Sequence, residues 1–531
     1  MTDWTVSRRL VLAGSGALAA TPAWAQGTVR RGGTLQVAYN TEQRNLNSAM
    51  VASNAVFLVA SKIIEPLAEM TYDGSGLSPR LATGWEASAD GLSVTFQLRR
   101  GVKWHDGRDF TSADVQYSAL EVWRRLSNFG RIVFRDLVGV DTPDTHTAVL
   151  RFSRPTPAQL IWNALPDLTA VLPRHLYEGT DVAQNPRNQA PIGTGPFRLG
   201  ENRAGQFVVL DRNPDYWDSP KPYLDRIVFR VMPDKGAIAA AHEAGELQLS
   251  CFSSVPLADL KRLAGVPALE VVNRGYEGST YHALIELNLR NPILADVRVR
   301  RAIHHALDLP RVVRDVFDGH GTVGTGPVPT TSRLFYTADT PRYGFDVARA
   351  NALLDEAGHR RGANGMRFSL KLVPAPWFDY TVLLGEYLRQ ALRQVGIDCQ
   401  PQRFDAPGHL QAIYRDHQFD IATGSPVFRN DPAISTTILY RTGTPPGVPW
   451  SNQYGYASQA MDQLLDQAAG ELDPARRVAH YHRFQQLAME DLPVIPAVEF
   501  TFLTVASRRL RNHSNLPRWA MSNWADLWLD S

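Results

Sequence analysis

Along the chain, hydrophobic positions switch between a two-residue alternation and a helical period, and the two interleave instead of forming separate blocks. "GGTLQVAYN" reads as a first strand, with Leu35 and Val37 on one face. "GLSVTFQLRRGVKW" alternates Val94, Phe96 and Leu98 as a half-buried strand, and "HDG" turns the chain after it. Thr111, with Asp114 three residues later, forms a capping-box signature that predicts a helix over 112–126. "THTAVLRF" and "GQFVVLDRN" are predicted strands, and "DRIVFRVMPD" alternates Ile227, Phe229 and Val231. In the second half, 297–317 and 346–357 read as helices, the latter closed by Gly358. "FSLKLVPA" is a strand, and 381–395 places Leu384, Leu388, Ala391 and Val395 on one helical stripe stopped by Gly396. A strand around "GIDCQPQRF" follows, so this region is a strand–helix–strand unit of α/β type. Asp473-Pro474 is an N-cap and first-turn pair for a helix over 475–490, and "VIPAVEFTFLTVAS" returns to strand character. The pattern contains no internal repeat and no low-complexity linker.

Length and composition narrow the class. At 531 residues the chain is too long for one simple core, so two or three domains are expected. A formal net charge of +2, without a dense Lys/Arg tract, gives no electrostatic footprint for nucleic acid. The two cysteines, Cys251 and Cys399, form no CxxC pair or Cys/His cluster, which excludes a disulfide framework and the common zinc spacings. At the N-terminus, Arg8-Arg9 precedes a modest apolar segment over 10–20 and then Ala23-Trp24-Ala25. This is the pattern of a signal peptide over 1–25, cleaved before Gln26. The apolar segment is too short to cross a hydrocarbon core about 30 Å thick. Its paired arginines resemble a twin-arginine signal, and no cysteine follows for lipid attachment. The expectation is a soluble, exported, periplasmic protein without a lipid anchor.

Local motifs offer little catalytic chemistry. Gly319-x-Gly321-x-x-Gly324 matches the bare dinucleotide fingerprint, but a helix precedes it and no helix follows, the reverse of what pyrophosphate binding needs. His304 and His305 are adjacent on a helix and diverge by about 100°, so they do not chelate as a pair. "HEAGE" at His242 has Glu246 where a zincin needs its second histidine. No Gly-x-Ser-x-Gly elbow and no phosphate loop lies in the mature chain, which leaves open an enzyme built from dispersed residues.

Longer segments carry a resemblance. The block over 63–119, from "IIEPLAEM" through "GWEASADGLSVTFQLRRGVKWHDGRDFTSADVQYSA", is highly specific. With "RGGTLQVAYN", "PIGTGPFRL", "RNPDYWDSPKPYLDRIVFRVMPD", "DVRVRRAIHHALD", "GTGPVPTTS" and "SNQYGYASQAMDQLLDQA", it resembles the extracytoplasmic solute-binding proteins of peptide, nickel and related ABC importers (family 5) over nearly all of the mature chain. The resemblance implies a two-lobed α/β periplasmic-binding-protein fold, type II and cluster C-like, with an extra appended domain. The first lobe would comprise 31–72, 186–284 and 497–531, the appended domain 73–185, and the second lobe 285–496. "YHALIELNL" and "LPVIPAVEF" would be the crossing segments at which a hinge closes on the ligand. The implied partners are a peptide or peptide-like solute and an inner-membrane ABC permease. No cofactor and no metal is implied, and the expected state is a monomer that is not an enzyme.

Ligands of such a fold meet loops at strand ends. These loops offer Tyr39, Asn40 and Glu42 after the first strand, Trp377 and Phe378 after "FSLKLV", Phe428, Arg429 and Asp431 after "FDIATG", and Tyr454 and Tyr456 in "SNQYGY". In peptide-binding members, an aspartate four residues before the motif proline pairs with the ligand's α-amino group. Counting back from Pro432 gives Phe428 here, and Pro426 stands near the usual tryptophan. Arg429 instead suits an acidic or amide-bearing ligand, since a guanidinium grips carboxylates in bidentate fashion. Unusual peptides, peptide-like metabolites, opine-type acids and metal chelates stay open, as do an exported enzyme or a ligand sensor on the same scaffold.

Overall fold

The computed structural model describes residues 29–42, 45–51, 53–72 and 76–530; the signal peptide expected over 1–25 lies outside them. Two large sheets dominate. The first has seven strands, in the spatial order Leu269–Val272, Thr504–Ser507, Leu249–Ser250, Thr34–Tyr39, Arg226–Val231, Phe207–Arg212 and Phe197–Arg203. The second has six: Thr322–Val323, Val494–Phe500, Tyr281–Leu287, Ile421–Gly424, Phe368–Pro374 and Ile397–Pro401. A separate antiparallel sheet holds Ala82–Ala87, Ser93–Leu98, Thr147–Phe152 and Leu137–Asp144.

Parallel pairing falls at the centre of the seven-stranded sheet and at one end of the six-stranded sheet. Thr34–Tyr39 runs parallel to Arg226–Val231 and Leu249–Ser250, with Leu35 and Val37 wholly buried. Phe368–Pro374 runs parallel to Ile397–Pro401 and Ile421–Gly424. The helix Asp379–Gln394 makes the crossover between the first two of these, burying Leu384, Leu388 and Ala391 and ending before Gly396 at φ +83°. The strand–helix–strand unit read from the sequence is therefore present, because its apolar stripe has a sheet to cover.

Three predicted elements divide. The 112–126 segment starts with Asp114 accepting from Thr111 N at 2.9 Å, but its regular helix ends at Tyr117. A wider π-helical turn over Ser118–Trp123 then carries Ala119, Val122 and Trp123 inward. The 297–317 segment is two helices, Val297–His305 and Leu309–Val316, because Asp308 accepts from Arg311 N at 3.1 Å and Pro310 sits in the new first turn. The 494–507 strand splits between the two large sheets, so the chain crosses at 501–503 and also at 273–280. "YHALIELNL" and "LPVIPAVEF" contribute strands to the six-stranded sheet, and the divisions expected at 284/285 and 496/497 fall inside those strands.

The glycine-rich 319–324 stretch has a packing role. Thr322–Val323 pairs antiparallel with Val494–Phe500, and a Cβ on Gly324 would stand 2.5 Å from the Pro496 carbonyl oxygen. Cys251, just after Leu249–Ser250, and Cys399, in Ile397–Pro401, are buried free thiols, each pushed up to about 12 by burial. Among the described residues no helix is long and apolar enough to cross a membrane.

Candidate functional site

The C-terminal ends of the parallel strands in both sheets converge on one open cavity of about 1390 Å³, its solvent-filled mouth included. Thr34–Tyr39 delivers Tyr39 and Asn40 to its wall, and Leu249–Ser250 delivers Phe252. From the other sheet, Phe368–Pro374 delivers Trp377, Phe378 and Tyr380. The crossing segment closes the back with Phe500 and Phe502. Strand termini gather side chains from several parts of the chain at one place, which is why open α/β sheets carry ligands there.

The wall is a continuous set of rings. Phe252 meets Tyr39 at 5.9 Å between centroids and Phe502 at 5.4 Å. Phe378 stacks on Tyr380 at 5.0 Å, and Tyr380 meets Phe500 edge-on at 4.6 Å. Tyr281, adjoining this lining, packs on Phe502 at 4.7 Å, and its hydroxyl accepts from Asn54 Nδ2 at 3.2 Å. Burial holds the phenols of Tyr39, Tyr281 and Tyr380 above their ordinary range, so they act as neutral hydrogen-bonding groups. Charge enters at the rim. Lys235 Nζ lies 2.8 Å from the Asp379 carboxylate, joining the first turns of two helices that belong to opposite sheets.

The expected site residues separate into two groups. Tyr39, Asn40, Trp377 and Phe378 line the cavity. Glu42, Phe428, Arg429, Asp431 and Tyr454 do not. Glu42 is half-buried, with its carboxylate beside the Gly205 turn. Phe428 is packed in the apolar core of the six-stranded side, and Tyr454 is wholly buried with its hydroxyl donating to the Leu439 carbonyl.

The two charges of the 425–435 loop are engaged within the protein. Arg429 is 3% exposed, lies 3.3 Å from Asp167 and stacks over the Phe129 ring at 4.6 Å. Asp167 is shared with Arg518, which also donates to Glu69 at 3.0 Å. Asp431 caps the short helix Pro432–Ser435 and accepts two bonds from Arg477, at 2.7 and 2.8 Å, and one from Asn163 at 3.1 Å. Burial alone would lower the Arg477 and Arg518 pKa values; their carboxylate partners raise both above the ordinary guanidinium range. The arginine expected to meet an acidic ligand is thus held by an aspartate 262 residues away.

Sequence reasoning missed Phe252, Phe500, Phe502, Asn54, Lys235 and Asp379. The Phe500/Phe502 alternation lies in a segment whose sequence shows only strand character. Asp234 before Lys235 is a local N-cap signal, its carboxylate accepting from Gly236 N at 2.7 Å, and it could have placed a helix start there.

Comparison with known proteins agrees with this architecture. The family model for bacterial extracellular solute-binding proteins, family 5 Middle, matches residues 76–469. A Brucella ovis protein described as an ABC transporter peptide-binding protein is 28% identical over 517 residues, spanning 93% of this chain and 92% of its own. Among solved structures, the oligopeptide-binding protein AppA of Bacillus subtilis with a nonapeptide superposes at a TM-score of 0.78 and 23% identity, covering 95% of this chain and all of that one. AgaA from A. tumefaciens R10, in complex with agropinic acid, gives 0.76 and 24%, covering 94% of this chain and 99% of its own. At these identities the structural likenesses establish the fold, a two-lobed α/β architecture.

Proposed function

The chain belongs to the bacterial extracellular solute-binding proteins of family 5, and on that premise we propose that it is the periplasmic receptor of an ABC importer, capturing a peptide or peptide-like solute in the aromatic cavity and handing it to the membrane permease. The observation that carries this reading is the convergence of strand ends from both large sheets on one ring-lined cavity. Rings supply apolar contact at little conformational cost, and the neutral phenols and Asn54 supply orientation. The named functions of the Brucella and Bacillus relatives point to peptides.

In this reading each large sheet is the framework of one lobe, and the four-stranded sheet belongs to the appended domain. The 273–280 and 501–503 crossings are the hinge, and closure over the solute is the state a permease would recognise. The protein acts as a monomer without cofactor. It is exported by its 1–25 segment, is not lipid-anchored, and releases its ligand chemically unchanged.

The test is mass spectrometry of the solute that co-purifies with protein isolated from its native host, followed by its readdition to stripped protein. Saturation at 100 times the dissociation constant should add about 2.7 kcal/mol of stability. A stripped protein whose melting temperature ignores every recovered solute, or a solute that returns chemically altered, would contradict the proposal.

A further inference from the structure

The cavity holds one conspicuous electrostatic feature, the Lys235–Asp379 contact. Lys235 starts the helix Lys235–Glu243 on the seven-stranded side, and Asp379 starts Asp379–Gln394 on the six-stranded side. Their 2.8 Å contact therefore spans the two walls. The Lys235 side chain is 29% exposed and that of Asp379 81%, so solvent already weakens the pair and separating it costs little.

Resting on the solute-binding reading above, we propose that the solute is a zwitterion with apolar side groups, and that it binds by splitting this pair. Its ammonium takes the Asp379 carboxylate, its carboxylate takes the Lys235 ammonium, and its side groups lie on the rings.

The charge distribution favours a dipolar guest over a singly charged one. Among the described residues lining the cavity, Lys235 is the one lysine or arginine. The lining carboxylates are Asp315, Asp318 and Asp379, and His320 and the neutral Tyr380 phenol lie on the same six-stranded side. Asp315 is already held by Arg311 and Arg314, each at 2.9 Å. A simple anion would compete with Asp379 for the single cation and face Asp318 as well. A simple cation would take Asp379 and leave Lys235 without its partner. A zwitterion replaces both halves of the pair at once. Its carboxylate also comes to the first turn of Lys235–Glu243, the positive end of that helix. Arg429 and Asp431, the other charges considered for the two ligand termini, are committed to Asp167 and Arg477.

The test is calorimetric titration of Leu-Phe, N-acetyl-Leu-Phe and Leu-Phe amide into the full-length mature protein, Lys235→Met and Asp379→Asn, with thermal melts to verify folding. In the wild type each cap should weaken binding by about tenfold or more, the loss of one charge-assisted contact. In Asp379→Asn the N-acetyl penalty should vanish while the amide penalty remains; in Lys235→Met the reverse should hold. Equal cap penalties in all three proteins would overturn the assignment. So would failure of Leu-Phe to bind a protein that still binds its co-purified solute, an outcome that leaves the solute-binding reading standing. A protein that binds neither would bring down both.

Discussion

Asp431 has no exposed surface and Arg477 keeps 1%, so their two hydrogen bonds are made away from water. A buried pair of this kind adds little net stability compared with well-packed apolar side chains, yet breaking it strands an uncompensated charge. Arg477→Met is therefore expected to destabilise the protein by about 3–5 kcal/mol in chemical denaturation, and the double variant Arg477→Met/Asp431→Leu should recover a substantial part of that loss. A double variant no more stable than the single one would show that the charges are not what the site protects. The residue scale is also where sequence reading was least complete. Arg429 and Asp431 stand out locally as charges in a proline-bounded loop, but their partners lie 262 and 46 residues away. Nothing in a local window separates a charge aimed at a ligand from one aimed at Asp167. The cavity aromatics Trp377 and Phe378 were reachable because a loop after a parallel strand has a defined place in an α/β fold.

At the scale of elements, what the sequence disclosed well was whatever is decided within one turn. The helix Pro474–Asp491 starts where Asp473-Pro474 places it, with the Asp473 carboxylate accepting from Arg476 N at 2.8 Å. Asp473→Ala should cost about 1 kcal/mol, read as a lower urea midpoint with an unchanged slope. A change below a few tenths would mean that tertiary packing alone holds this helix end. The misread elements failed for a shared reason. A hydrophobic run tells how much of a segment is buried, not against which sheet. Thus 494–507 has strand character throughout, although Val494–Phe500 and Thr504–Ser507 pair in different sheets. The widening at Ser118 likewise depends on the partner of the Trp123 indole, which donates to the Ala170 carbonyl at 2.8 Å.

For the molecule as a whole, five histidines dominate the response to acid. Burial lowers His105, His242, His282, His304 and His409 each from 6.5 to about 4. Between those values the unfolded chain binds protons that the folded chain refuses. The stability due to neutral burial is thus complete above pH 6.5 and is lost as pH falls through 4. Each shift amounts to roughly 3 kcal/mol, and a folded domain typically holds only about 5–15 kcal/mol, so acid unfolding is expected before pH 4 is reached. Glu286 works in the opposite sense: burial raises its carboxyl from 4.5 to about 7, which erodes stability as pH rises between those values, and burial raises Glu65, Asp114 and Glu499 in the same direction. Five histidines shifted this far outweigh the one carboxyl shifted as far, so the melting temperature should fall steadily from pH 6.5 to 4.5, and a flat or rising profile in scanning calorimetry would refute this balance.

The passage of the chain from one large sheet to the other at 501–503 also bears on how the protein is made. Val494–Phe500 fills an interior position of one sheet, and Thr504–Ser507 fills an interior position of the other. Apart from the short Thr322–Val323 pairing, the pairs they complete join residues more than 200 positions apart, as in Tyr281↔Phe500 and Leu249↔Ala506. Until those last strands leave the ribosome, both sheets keep a gap with unpaired backbone on either side. Neither lobe can close during synthesis, and the nascent chain carries two incomplete sheets, each open to mispairing, until its final segment arrives to seal both.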